Sequence, residues 1–411
     1  MGRRPRLPEG AQDVDATPAE AWRRTVNYAL DSKPAADLLA GDVVDADRDF
    51  FEGYRELRAG VERLAAAGIR VIAVAGNHDI HVLPRLADEI PALELLGRGG
   101  VWEATTIEAN GEAATIVGWS FPREQVRQSP LEGATLPEGT GVRIGLLHAD
   151  LDNPGSSHAP VRRAELAASG LDAWLVGHIH VPDALSVDQR MGYLGTLAPL
   201  DPTETGLRGP WRIEIVGTQI ATFDHIPLAP VRWQREKIDL SGINTLDGVE
   251  SKLLQHMRSV QENAKAAACI PNLVAVRADL VGASKLPETR LQNIEPNELY
   301  LPGHPAVAID RLRNLTSPAL DLDVLSHRRD VIGALAGLAK RLESGAPSAE
   351  DLQWLGRIDT LADSLRRRGG FAAVAPAELP LPRSEEARLD LLQRAAKRLL
   401  RTLVTQSETS S

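Results

Sequence analysis

Short, unbroken apolar runs alternate with stretches of helical spacing through the first half of the chain, and each run stops abruptly at polar side chains. Ala36-Asp37-Leu38-Leu39-Ala40 leads into Gly41-Asp42-Val43-Val44-Asp45, and Val71-Ile72-Ala73-Val74-Ala75 into Gly76-Asn77-His78-Asp79. Val142-Arg143-Ile144-Gly145-Leu146-Leu147 ends in His148, and Ala173-Trp174-Leu175-Val176 in Gly177-His178-Ile179-His180. Runs of this length are the pattern of strands buried on both faces in a parallel sheet. Between the first two, Phe50, Tyr54, Leu57, Val61 and Leu64 fall on one helical face, with Asp49 as the N-cap and Gly68 as the stop. An earlier helix carries Trp22, Val26, Ala29 and Leu30 and ends before Pro34. Strand, helix, strand is a right-handed crossover unit, so Asp42 and Asn77 are expected at the same sheet edge. Open α/β sheets bind their ligands just beyond such strand ends.

Further along, Val101-Trp102 and Ala114 to Trp119 read as strands of a second half-sheet, and residues 120–140 as a turn-rich loop with Pro122, Pro130 and Pro137. Trp211 to Val216 is the strand expected to close the sheet before Pro227 and Pro230. Trp233 to Leu240 and Asn272 to Leu280 then read as strands around a helix bearing Val249, Leu253, Leu254 and Met257. The last hundred residues are helical in pattern. Ser348-Ala349-Glu350-Asp351 resembles a capping box ahead of a stripe of Leu352, Leu355, Ile358, Leu361 and Leu365. Ser384 opens another helix with Leu389, Leu392, Ala396, Leu399 and Leu403. These changes of pattern divide the chain at 1–228, 229–315 and 316–411.

Composition alters little in this picture. A hydrophobic fraction of 43% and a charged fraction of 25% over 411 residues describe an ordinary globular chain with room for two or three domains. The net charge of -10 does not advertise a nucleic-acid binder. A carboxylate-lined metal site would nevertheless bring its own cations to a phosphate. The single cysteine, Cys269, excludes an internal disulfide framework and fits a reducing compartment. No apolar run approaches the roughly 20 residues of a membrane span, and Met1 to Arg6 lacks the apolar segment of a signal peptide. The expectation is a cytoplasmic protein with no membrane association.

Taken alone, Asn77-His78-Asp79 reads equally well as a polar turn with capping residues. Four strand ends carrying Asp, Asn and His together suggest mixed oxygen and nitrogen coordination of manganese, iron or zinc. The order Gly-Asp-x-x-Asp, Gly-Asn-His-Asp, a lone His after a strand, and Gly-His-x-His resembles the calcineurin-like metallophosphoesterases over roughly the first half of the chain. Within them it is most similar to the DNA-repair nucleases typified by the SbcD subunit of SbcCD.

The resemblance implies an α/β fold: a four-layer αββα metallophosphoesterase sandwich, a small α+β capping domain and a helical C-terminal region. It implies two divalent metal ions, Mn²⁺ foremost. Asp42 would bridge them, Asn77, His148 and His178 would complete one, and His180 would serve the other. His78 would act as general acid or transition-state stabiliser, Asp79 would orient it, and Asp45 would sit behind the ligands. The implied partners are DNA, an SMC-type ATPase and a second copy of the chain, and the last helices resemble an ATPase-docking segment. Packing of those helices on each other is the plainer alternative. Arg366-Arg367-Arg368 and Lys397-Arg398 read as solvated faces, and His81, His158, His225, His256, His304 and His327 as surface or structural histidines. His81 and His158 lie nearest the motifs.

One departure matters. The family's opening strand ends in Asp-x-His, the remaining ligands of the second metal. Asp13-Val14-Asp15 has no apolar run before it. The expectation is that the start is placed too far downstream and that a strand of about a dozen residues with its turn belongs ahead of it. The competing explanation is loss of one metal's ligands. The implied function is a metal-dependent DNA exonuclease/endonuclease. A phosphatase or small phosphodiesterase, and an impaired DNA-end-binding scaffold, are the alternatives.

Overall fold

The computed structural model describes residues 5–44, 50–286, 288–366 and 385–409. Asp45, the capping Asp49, Arg367, Arg368 and Ser384 lie outside the described residues. Helix α1 (Pro18–Ser32) starts at Thr17, whose Oγ1 accepts the Glu20 N–H at 3.2 Å. It leads to β1 (Ala36–Ala40), α2 (Phe50–Ala66), β2 (Arg70–Val74), α3 (Leu83–Glu89) and β3 (Leu93–Leu95). These strands form a parallel sheet in the order β1-β2-β3, with Ala36 opposite Arg70 and Ala40 opposite Val74.

A second sheet follows from β4 (Glu103–Ala109), β5 (Glu112–Trp119), β6 (Val142–His148), β7 (Asp150–Leu151), β8 (Pro160–Val161), α4 (Arg163–Ala168), β9 (Ala173–Gly177) and β10 (Met191–Tyr193). Its order is β10-β9-β6-β5-β4, parallel except for the β4-β5 hairpin, while β7 and β8 pair separately. Val101 and Trp102 precede β4 rather than belonging to it.

Alternation along the strands builds the layers. On β2, Val71 and Ala73 face the helices and pack with Trp22, Val26, Leu57, Val61, Leu64, Leu83 and Leu86. Ile72 and Val74 face the second sheet and meet Ile116, Ile144, Leu146, Ala173 and Leu175. The far side of that sheet buries Val117, Trp119, Leu147, Trp174 and Val176 against Leu166 of α4 and the loops. Helices, sheet, sheet, and helix with loops are the four layers of an αββα sandwich.

Strands β11 (Trp211–Val216) and β12 (Gln219–His225) pack on the inter-sheet core through Ile213, Ile215, Ile220 and Phe223. They pair only with each other among the described residues. The expected closure of the sheet by Trp211 to Val216 is therefore not formed, because no strand among the described residues bridges β11 and β1.

The chain continues through β13 (Val231–Asp239), α5 (Leu246–Lys265), β14 (Leu273–Val281), β15 (Ala283–Ser284), α6 (Glu288–Gln292), β16 (Tyr300–Leu301), β17 (Ala306–Asn314) and β18 (Ser317–Pro318). One sheet has the order β13-β14-β17-β16, and β15 pairs with β18. Val231, Trp233, Leu273, Ala275, Ala306 and Ala308 form a core with Ala11, Ala16 and Leu7. Arg24 of α1 reaches the Ile270 carbonyl at 3.0 Å and Asn272 Oδ1 at 2.6 Å.

The chain divides into two compact units, Met1–Glu236 with Leu253–Ala278 and Glu295–Leu312, and Lys237–Lys252 with Asp279–Ile294 and Arg313–Ser411. Residues 229–315 thus contribute to both. In the second unit α7 (Leu322–Ser326), α8 (Val331–Glu343), α9 (Ala349–Arg366) and α10 (Glu385–Thr409) follow one another. Ile332 and Ala336 of α8 bury against Leu400 and Leu403 of α10. The capping box is present: Ser348 Oγ accepts the Asp351 N–H at 3.2 Å, and Asp351 Oδ2 accepts the Ser348 N–H at 2.8 Å. Arg341 donates two bonds to the buried Asp351 carboxylate, at 2.7 and 2.8 Å. No helix among the described residues is long and apolar enough to cross a membrane.

Candidate metal centre

All four motif-bearing strands deliver their ends to one place. Asp42 stands just past β1 with a φ of 53°, and His178 just past β9 with a φ of 109°. Side chains rarely accept such backbone, and these conformations cluster at functional sites. Gly41 makes the approach possible: a Cβ there would lie 2.7 Å from His148 Nδ1.

His148, the last residue of β6, is wholly buried. Its Nδ1 donates to the Ala40 carbonyl at 2.9 Å, which turns Nε2 towards Asn77 Oδ1 at 3.1 Å and Asp42 Oδ2 at 3.2 Å. The ligand atoms of Asp42, His148 and His178 lie within 4.8 Å of one another. A carboxylate oxygen and two imidazole nitrogens at this spacing, with an amide oxygen alongside, suit one divalent cation with mixed oxygen and nitrogen ligands.

The electrostatics favour positive charge at this point. Burial alone would raise the Asp42 carboxyl, but the His148 imidazole and the His78 N–H, 3.1 Å from Oδ1, hold it at about 2. Burial opposes charging of His148, and the Asp42 carboxylate outweighs it and raises the imidazole. His178 goes the other way, down to about 4, through burial and the neighbouring His148. Its lone pair is therefore free at neutral pH.

Asp79 is fully buried. Its Oδ1 accepts the Gly76 N–H at 2.8 Å and its Oδ2 the Val43 N–H at 2.7 Å, which clamps the β1 and β2 loops together. Burial and the Asp42 charge raise it to about 6. Ser120, also buried, donates to the Leu96 carbonyl at 2.5 Å and accepts the Ala75 N–H at 2.8 Å, pinning the root of the Asn77 loop. His78 is exposed in the same loop.

His180 is not part of the triplet. Its Nδ1 lies 2.7 Å from Glu204 Oε1, and Glu204 Oε2 accepts the Leu200 N–H at 2.9 Å. Asp42, His78, His178 and His180 all line one cavity of about 750 Å³. The bond of Glu204 to His180 and the clamping geometry of Asp79 and Ser120 are not legible in the sequence, since each depends on a partner far along the chain or on a backbone N–H. The His158 ring lies tilted beside that of His178, with centroids 5.1 Å apart, while His81 is exposed and 3.6 Å from Glu124.

A two-sheet sandwich with carboxylate, amide and imidazoles gathered beyond its parallel strand ends is the architecture of a metallophosphoesterase. Residues 18–182 match the family model for the calcineurin-like phosphoesterases. It is 24% identical over 213 residues to the uncharacterized metallophosphoesterase YhaO of Bacillus subtilis (strain 168), covering 50% of this chain and 51% of that one. It is 26% identical over 211 residues to the DNA double-strand break repair protein Mre11 of Aeropyrum pernix, covering 47% and 51%. The match therefore spans about half the length of these relatives. The crystal structure of TT1561 of Thermus thermophilus aligns with 43% of this chain and 84% of its own, at 16% identity and a TM-score of 0.29.

Proposed function

We propose that this metallophosphoesterase is a divalent-metal-dependent DNA nuclease. The observation that carries the reading is His148 Nε2 facing Asp42 and Asn77, with His178 beside them and an exposed His78 at the rim. DNA is favoured as the substrate by the likeness to a break-repair protein. Asp42, Asn77, His148 and His178 would hold a cation, with Mn²⁺ the first choice for this donor set. Such a cation, when bound, supplies positive charge against the developing phosphoryl charge and acidifies water.

The chain's own groups do the rest. His78 gives a proton to the departing alkoxide, a contribution of roughly 10²- to 10⁴-fold. Asp79 keeps the two ligand loops in register, and Glu204 fixes the His180 ring. An SMC-type ATPase and a second copy of the chain are the proposed partners, with α10 as a docking element.

The test is hydrolysis of linear double-stranded DNA with Mn²⁺, set against p-nitrophenyl phosphate esters. Loss of at least about 100-fold in kcat for His78→Ala with Mn²⁺ binding retained is the expected result. Turnover of the small esters with DNA left intact would instead assign a phosphatase.

A further inference from the structure

The metal centre is flanked by an aromatic cluster at the start of α2. Phe50, Phe51 and Tyr54 fall within five residues of a chain that holds only five phenylalanines and four tyrosines. The Phe50 and Tyr54 rings are stacked, 6° apart in plane with centroids at 6.1 Å, and pack with Val43 on the helix-side core. Phe51 meets Phe50 edge to face, at 5.5 Å and 88°. It does not enter the core. At 83% exposure it is the most exposed large hydrophobic side chain among the described residues, and a π face is open to water.

Two sets of contacts fix this cluster to the ligand loops. Val44, two residues past Asp42, is wholly buried, and a Cβ at Gly53 in the first turns of α2 would lie 3.0 Å from its Cγ2. On the other flank α3 hangs from Asp79, whose carbonyl accepts the Val82 and Leu83 N–H groups at 3.0 and 2.8 Å. From α3 the Arg85 guanidinium lies over the Phe50 ring, 4.6 Å from its centroid. Arg85 is exposed and has no carboxylate partner among the described residues. Phe51 and Arg85 are thus carried by the two helices that follow the Asp42 loop and the Asn77-His78 loop.

The chemistry of the pair selects the occupant. Singly exposed apolar side chains are ordinary, but here an open aromatic face stands beside an unpaired cation. The face takes a planar ring, and the guanidinium takes an anion. A nucleotide carries both. Inside a duplex both faces of a base are already stacked, so the ring that can be taken is an unpaired one.

We propose that Phe51 is a stacking platform for an unpaired nucleobase of DNA, with Arg85 receiving an adjoining phosphate. The proposal rests on the nuclease reading above and adds to it a site for a base, where the metal centre holds only a phosphate.

The test is DNA binding by the 411-residue chain, followed by fluorescence anisotropy in EDTA so that nothing is cleaved. A duplex with a single-stranded thymidine overhang is compared with the same duplex whose overhang is abasic and keeps every phosphate. The parent is expected to bind the thymidine form about 5- to 100-fold more tightly. Phe51→Leu, apolar but without a π face, should erase that preference, and Phe51→Trp should restore it. Arg85→Met should weaken both forms alike and lower the salt dependence. A parent indifferent to the missing bases, a Phe51→Leu form that keeps the preference, or a Phe51→Trp form that fails to regain it would each overturn the proposal and leave the nuclease reading standing. So would loss of self-association in Phe51→Leu with the preference intact, which would assign the cluster to a second copy of the chain. Failure of the parent to bind DNA with Mn²⁺ as well as without it would overturn both.

Discussion

Asp37→Asn tests the energetic state of the open edge. The Asp37 carboxyl sits in the cavity wall, with only the Leu38 N–H to favour its charge, and burial pushes it from 3.8 up to about 6. An acid whose folded value is raised holds its proton more tightly when folded, so stability falls as pH rises from about 4 to about 6 and stays reduced above that. The distance from 3.8 to about 6 converts, at about 1.36 kcal/mol per pH unit, to about 3 kcal/mol of penalty at pH 7.5. Asn keeps the shape and removes the charge. The variant should therefore gain about 2 to 3 kcal/mol at pH 7.5 and nothing at pH 4. Urea unfolding followed by tryptophan fluorescence between pH 4 and pH 8 measures this directly. An unchanged pH slope, or a loss of stability at pH 7.5, would refute the reasoning.

Further outcomes follow from particular contacts. His148→Ala removes the ring that faces Asp42 and Asn77, and Mn²⁺ affinity by titration calorimetry should fall at least about 100-fold. Chelation by EDTA should abolish hydrolysis, and added Mn²⁺ should restore it. Trp174→Ala empties a fully buried site whose indole N–H bonds the Leu166 carbonyl, and should cost about 3 to 5 kcal/mol in urea unfolding. Arg341→Met leaves the buried Asp351 without its guanidinium, at a cost of about 2 to 3 kcal/mol. Arg341 now holds that carboxyl well below the usual range. Its stabilisation is present above about pH 4 and fades as pH falls. Circular dichroism on acid titration should therefore show the variant losing helix at higher pH than the parent.

The parts of the fold that were legible in the chain are those whose signal is local. β1, β2, β6 and β9 are unbroken apolar runs, and within each sheet the polar ends fall together because parallel strands present the same end; that the two pairs lie in separate, facing sheets was not legible. α2 and α5 followed from helical spacing. What was not legible depends on long-range pairing. β7 and β8 are two residues each, and nothing in Asp150-Leu151 or Pro160-Val161 names its partner. Trp211 to Val216 reads as a strand, but its failure to reach β1 is a property of a neighbour and not of its own residues. At the site, the ligand types were visible as side chains. The bonds of Asp79 to Gly76 and Val43 were hidden, since a backbone N–H carries no residue identity.

Asp42 and Asn77 belong to the loops of the three-stranded sheet, and His148 and His178 to strand ends of the five-stranded one. An ion shared among them would act as a rivet through the two halves of the sandwich. Its occupancy and the cohesion of the halves would then be one thermodynamic quantity. Mn²⁺ at 100 times its dissociation constant would add about 2.7 kcal/mol against separation of the sheets. The rate at which the ion escapes would then report how often the two sheets part.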